Sequence, residues 1–266
     1  MNQTLEAIVN PFAGKESASP DNVAKKIPPV RNSKIDSALE KYKKLEAWGS
    51  GDPNWARFDS KEQWFIQISE LNPETLTPAE IDILLDRILK ETPKWKFGDE
   101  RTGHYISYLV QLSYNAGHSD FHITAGHTPI SCFLTTVSGT EQRRLKARIL
   151  ADFSPSVASN VNYLDVIVDG SVMGLGYRSN HSTFIINGNA NSSPGSGSRD
   201  CEYVIEGNVE GIIDKVQRCT YTIEGKFSGL SDVRDSTFKT HNLETYEKMM
   251  ASINSMLGGN KVELLK

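Results

Sequence analysis

The chain has 266 residues, 29 basic against 33 acidic, a formal net charge of −4 and 38% hydrophobic residues. That supply of apolar side chains supports a sizeable core and excludes wholesale disorder, while the charge offers no basic footprint for nucleic acid. The sequence has no run of about 18 apolar residues. Its Met1-Asn-Gln-Thr-Leu-Glu6 start lacks the basic and apolar regions of a secretory signal, and three cysteines are too few for a disulfide scaffold. The expectation is a soluble, cytoplasmic protein without membrane contact.

Residues 1–34 carry Pro11, Gly14, Pro20, Pro28 and Pro29 without sustained periodicity, which predicts a flexible N-terminal arm. From 35 to 117 the pattern is helical. Leu39, Tyr42 and Leu45 share one face of a first helix. Ser60 and Gln63 form a capping box ahead of Trp64, Ile68 and Leu71. Thr77, Pro78 and Glu80 are a stronger start signal, followed by the stripe Ile81, Leu84, Leu85, Ile88 and Leu89. A fourth helix is expected from Thr102 to Asn115, ending at Gly117. All four tryptophans (48, 55, 64 and 95) fall in this region and read as anchors of a small helical core.

Residues 118–242 carry a repeat. Ser119-Asp-Phe121-His-Ile123, Ser182-Thr-Phe184-Ile-Ile186, Cys201-Glu-Tyr203-Val-Ile205, Cys219-Thr-Tyr221-Thr-Ile223 and Ser236-Thr-Phe238-Lys-Thr240 share one pattern. Leu145-Lys-Ala147-Arg-Ile149 and Leu164-Asp-Val166-Ile-Val168 are weaker members. The steps between starts are 26, 19, 18, 19, 18 and 17 residues. A period this short is too small for a helix pair and suits one coil of a β-solenoid. Strand alternation then sends the first, third and fifth residues inward. Gly170, Gly188, Gly207 and Gly225 mark a bend that needs φ > 0 or has no room for Cβ. Val172, Ala190, Val209 and Phe227 follow as a second inward column. Asn189 and Asn208 stand in register for an amide ladder. The fold class predicted is mainly β, a parallel β-solenoid of about 6–7 short coils. A helix from Asn242 and a strand at 261–265 would cap one end over residues 243–266, and the N-terminal helices would close the other.

At Phe184-Ile-Ile-Asn-Gly-Asn189, Tyr203-Val-Ile-Glu-Gly-Asn-Val209 and Tyr221-Thr-Ile-Glu-Gly-Lys-Phe227 the chain resembles the repeats of the glutamate synthase C-terminal domain, over roughly residues 119–242. Lys226 departs from the usual Asn. The resemblance implies a right-handed parallel β-helix that is structural and carries no catalytic residue or cofactor. It also suggests an accessory subunit of an amidotransferase or redox enzyme complex.

Several residues are candidates for chemistry. His118, His122 and His127 lie close in sequence, with His104 and Cys132 nearby, and their chemistry suits a zinc-type ion. Surface or helix-contact histidines are the competing reading. Cys201 and Cys219 share one inward column on adjacent coils, either as a disulfide or as small buried residues alternating with Ser. Ser192 to Ser198 is Gly- and Ser-rich but lacks the Lys and helix of a phosphate loop, and reads as a floppy third side of its coil. Arg143, Arg144, Lys146 and Arg148 form a basic cluster, expected to be solvated or paired with acids.

The outward column Ile167, Ile185, Val204 and Thr222 is apolar. It is rimmed by Asp165, Thr183, Glu202, Thr220 and by Asp169, Asn187, Glu206, Glu224. Such a stripe meets either the protein's own terminal helix or a protein partner or second copy. The function expected is a non-catalytic structural or protein-interaction module. The alternative is a carbohydrate-active β-helix drawing two carboxylates from Asp165, Glu202, Asp169 and Glu206.

Overall fold

A computed structural model describes residues 32–48, 61–91, 100–126, 130–154, 156–256 and 258–266. Among the described residues the N-terminal region has four helices: α1 (Ser33–Trp48), α2 (Lys61–Glu70), α3 (Pro78–Glu91) and α4 (Arg101–Asn115). The strands that follow are β1 (Asp120–Gly126), β2 (Leu145–Ser154), β3 (Leu164–Val172), β4 (Thr183–Ile186), β5 (Glu202–Ile205), β6 (Val209–Asp214), β7 (Thr220–Ile223), β8 (Phe227–Ser231) and β9 (Thr237–Thr240). Helix α5 (Leu243–Ile253) and strand β10 (Lys261–Leu264) close the chain. Up to residue 31 the expected arm lies outside the described residues, as do Ser60, Trp55, Trp95 and His127. Ser33 and Lys34 already belong to α1.

The strands stack in parallel into a β-solenoid of about five turns. One sheet has the order β1-β2-β3-β4-β5-β7-β9-β10, and β6 and β8 form a second on another side of the coil. The register is the one the repeat demands. Phe121 pairs with Ala147, Ala147 with Val166, and Val166 with Phe184, which leads on to Tyr203, Tyr221 and Phe238. Val172, Ala190, Val209 and Phe227 pair in the second column. All the inward aromatics are buried, and four of them stack face to face. Centroids lie 4.9 Å apart for Phe184–Tyr203, 4.5 Å for Tyr203–Tyr221 and 5.3 Å for Tyr221–Phe238. These spacings are close to the inter-strand repeat, so the rings follow the backbone ladder.

Each coil turns at two corners built from left-handed backbone. Tyr163, His181, Asp200, Arg218 and Asp235, each just before a strand start, have φ of 50–53°. Three residues earlier, Asn160, Arg178, Gly197, Lys215 and Asp232 are also at positive φ. Gly188, Gly207 and Gly225 serve the other purpose foreseen. A Cβ on any of them would lie 2.4–2.5 Å from the carbonyl oxygen of the glycine one coil below. The expected amide ladder is instead a side-chain-to-backbone chain. Asn189 Oδ1 accepts from Asn208 N at 2.7 Å, and Asn208 Oδ1 from Lys226 N at 2.8 Å.

The Gly/Ser segment is not floppy. Ser198 is fully buried, with its hydroxyl 2.7 Å from the Gly176 carbonyl and 2.9 Å from Tyr203 Oη. Tyr221 donates to the Pro194 carbonyl at 3.1 Å. Gly195, at φ +75°, leaves room for both tyrosine tips, because a Cβ there would stand 2.2 Å from Tyr221 Oη. The small residues were forced by the size of the rings they cover.

Both ends are capped. Helix α3 packs on β1, where Asp82 accepts from Thr124 N at 2.7 Å, and its start is the reciprocal Thr77–Glu80 box. Asn242 caps α5 through Thr245 N at 3.0 Å, and α5 packs against β8, β9 and β10.

Candidate functional site

The outward face of the large sheet is where polar side chains gather on rigid backbone. Its central column does not offer the open apolar stripe that the sequence suggests. Ile167, Ile185 and Val204 are only 5%, 3% and 9% exposed and form a small cluster of their own, apart from the main core. Thr222 is half-buried.

Beside that column runs a shallow groove of about 620 Å³. One wall is the left-handed corner column: Tyr163, His181, Asp200 and Arg218. The other is the first outward strand position: Thr183, Glu202 and Thr220, with Arg144 and Lys239 at the ends. Because coils stack in register, corner residues meet their counterparts directly. Tyr163 and His181 stack at 5.0 Å and 10°. Arg218 donates to both Asp200 carboxylate oxygens at 2.7 Å, a bidentate pair that holds the Asp200 carboxyl below the usual range. Arg144 makes the same kind of fork with Asp165, at 2.7–3.0 Å.

Glu202 is the odd member. Burial lifts its carboxyl above the ordinary glutamate range; Lys239 pulls it down and Asp165 pushes it up. On the far side of the apolar column, Arg148 pairs with Asp169, which also accepts from Asn187 Nδ2 at 2.7 Å, and His241 pairs with Glu224 at 2.8 Å. Arg144 and Arg148 of the basic cluster are therefore spent on acids of the neighbouring coil. Arg143 instead lies over the Tyr114 ring at 4.0 Å and donates to the Tyr114 carbonyl.

Cys201 and Cys219 are free thiols at inward positions. Ser182, Ser236 and both cysteines each hydrogen-bond the carbonyl two residues earlier, at 2.8–3.4 Å, which holds the corner closed. The hydrogen bond with Cys219, together with burial, raises the Cys201 thiol above the ordinary range. This makes Cys201 a structural thiol and a poor nucleophile.

Of the three clustered histidines, His127 lies outside the described residues. His118 is half-buried after α4, and His122 is exposed at an outward position of β1. Neither belongs to a set of converging ligand atoms among the described residues. Such a set exists at Glu100, His104 and Cys132. The sequence reading places His104 and Cys132 beside the histidine cluster but does not include Glu100, and no spacing joins Cys132, which arrives from a separate loop, to the helix. No helix among the described residues is long and apolar enough to cross a membrane. Compared with known proteins, the chain matches no family model, no curated protein and no solved structure.

Proposed function

We propose that the protein is a non-catalytic β-solenoid module for assembly, and that a polar segment of a protein partner docks along the corner groove. The observation that carries this reading is the pairing of acids with cations of neighbouring coils. Asp165, Asp169 and Asp200 are held by Arg144, Arg148 and Arg218, so they shape a surface of alternating charge. Stacked coils keep that surface rigid, which lowers the ordering cost of binding. Docking belongs to the groove because the apolar column beside it is closed to solvent. The repeat pattern, with its likeness to glutamate synthase repeats, supports a right-handed winding of six to seven coils.

A photo-cross-linking side chain at Thr220, introduced in the native cell, tests the reading. It should capture a defined protein, and Arg218→Glu should abolish the adduct. A strict monomer that yields no adduct overturns it.

A second reading rests on Glu202 and Asp165. A carboxyl raised by burial, two coils from Asp165 in the same column, has the character of a general acid in glycoside cleavage. Under that reading a polysaccharide screen shows cleavage that Glu202→Gln removes. No cleavage by the wild type dismisses it.

A further inference from the structure

A buried imidazole in the helical region has no hydrogen bond among the described residues. His104, on α4, is 1% exposed and stacks on Trp64 at 5.1 Å and 14°, yet among the described residues neither Nδ1 nor Nε2 has a hydrogen-bond partner. A buried polar group without a partner is costly, and a ring lacking both partners calls for an explanation. One turn earlier on the same helix face stands Glu100, its carboxylate oxygen 3.6 Å from His104 Nε2. Cys132 supplies the third atom. The carboxylate oxygen, the imidazole nitrogen and Sγ all lie within 4.8 Å of one another.

The backbone around them is built to bring Cys132 in. Gly103 lets the loop press onto α4, since a Cβ there would lie 1.8 Å from the Ser131 carbonyl oxygen. The buried Ser107 hydroxyl reaches the Gly103 and Cys132 carbonyls at 2.5 and 3.4 Å and accepts from Thr135 N at 3.1 Å. Cys132 itself is at φ +57°, a conformation uncommon for a side-chain-bearing residue.

We propose that Glu100, His104 and Cys132 bind a zinc-class divalent cation. Thiolate, imidazole and carboxylate are the donors such a borderline-soft ion takes, at about 2.0–2.3 Å, which sets ligand atoms about 3.5 Å apart. The three atoms, already within 4.8 Å of one another, draw together to that spacing when the ion binds. On binding, the Cys132 thiol releases its proton to solvent and one nitrogen of His104 gains a partner. Three protein ligands leave a fourth position for water. The ion ties α4 to the loop between β1 and β2, in the first coil of the solenoid.

Cobalt(II) added to the full-length, chelator-stripped protein is the test. One equivalent should produce tetrahedral visible bands and a thiolate-to-cobalt charge-transfer band. Cys132→Ser should lose the charge-transfer band. His104→Gln and Glu100→Gln should weaken binding at least tenfold, and zinc should raise the melting temperature of the wild type but not of Cys132→Ser. His118→Gln/His122→Gln should bind as the wild type does. Wild-type protein that binds cobalt without a thiolate band overturns the proposal, whatever the variants do. So does loss of binding in the His118/His122 variant. Glu100, at the half-exposed helix start, keeps the test open should the buried variants fail to fold.

Discussion

At the scale of single residues, the molecule is decided by where a Cβ fits. Gly195 and Gly229 both sit in the repeat, but their surroundings are opposite. Gly195→Ala must adopt φ +75° and drive a methyl into Tyr221 Oη, whereas an added Cβ at Gly229 meets only Ile212 Cγ1, at 4.0 Å. Overpacking together with the unfavourable φ should make Gly195→Ala cost about 2 kcal/mol or more. Gly229→Ala should be neutral or stabilising by about 0.5 kcal/mol. Chemical denaturation of the two variants checks this, and equal losses would refute the packing argument. Glu202 makes a second prediction. Its folded carboxyl is raised above the ordinary value of 4.5, so the folded state binds its proton more tightly than the unfolded chain does. That contribution is fully present below the ordinary value and is lost as pH rises through the folded one. Glu202→Gln should therefore gain stability relative to the wild type on going from about pH 4 to about pH 7. A difference in melting temperature that stays flat with pH would show that Glu202 is not desolvated.

Elements follow from agreement between residues one coil apart. The strand columns were legible because an alternation of period two inside each coil and a coil step of 17–19 residues had to hold together. That double constraint also fixed the weaker members, so Leu145 pairs with Leu164 as their place in the repeat implied. Helix starts were legible where a cap has its own chemistry. Asn242 is the clearest case, and Asn242→Ala should cost about 1 kcal/mol through loss of the Thr245 N–H bond. Asn242→Asp should retain most of that stability, and a thermal melt of the pair separates cap from packing. The corners were not legible. Tyr163, His181, Asp200 and Arg218 take a left-handed conformation without being glycine, and their stabilising contacts come from the next coil. Neither these contacts nor the meeting of His104 with Cys132 across 28 residues leaves a local signature in the sequence. The Ser192–Ser198 segment misled for a related reason. Its small residues record the size of two tyrosines that lie after it in the chain, not freedom of the backbone.

For the whole molecule, stability should behave as a one-dimensional chain of neighbour contacts. Every backbone pairing between coils joins residues one coil apart, and the aromatic stack carries the same neighbour-only logic through the interior. Tyr203 stands mid-stack, with Phe184 on one side and Tyr221 on the other, whereas Phe238 has a ring partner only toward Tyr221. Truncating either aromatic to alanine should cost about 3–5 kcal/mol in cavity and lost burial. The spatial reach of the two losses should differ. Tyr203→Ala removes contacts on both sides, so amide protection should fall across β4, β5 and β7 together. Phe238→Ala should loosen β9, α5 and β10 first and leave β3 and β4 protected. Native-state hydrogen exchange on the two variants reads this directly. Thr183→Ala, on the outward face next to Phe184, is the control for register and should leave the exchange pattern as it is. Uniform loss of protection along the chain in Phe238→Ala would mean that the end caps and the helical region couple the coils globally, and the neighbour-only account would fail.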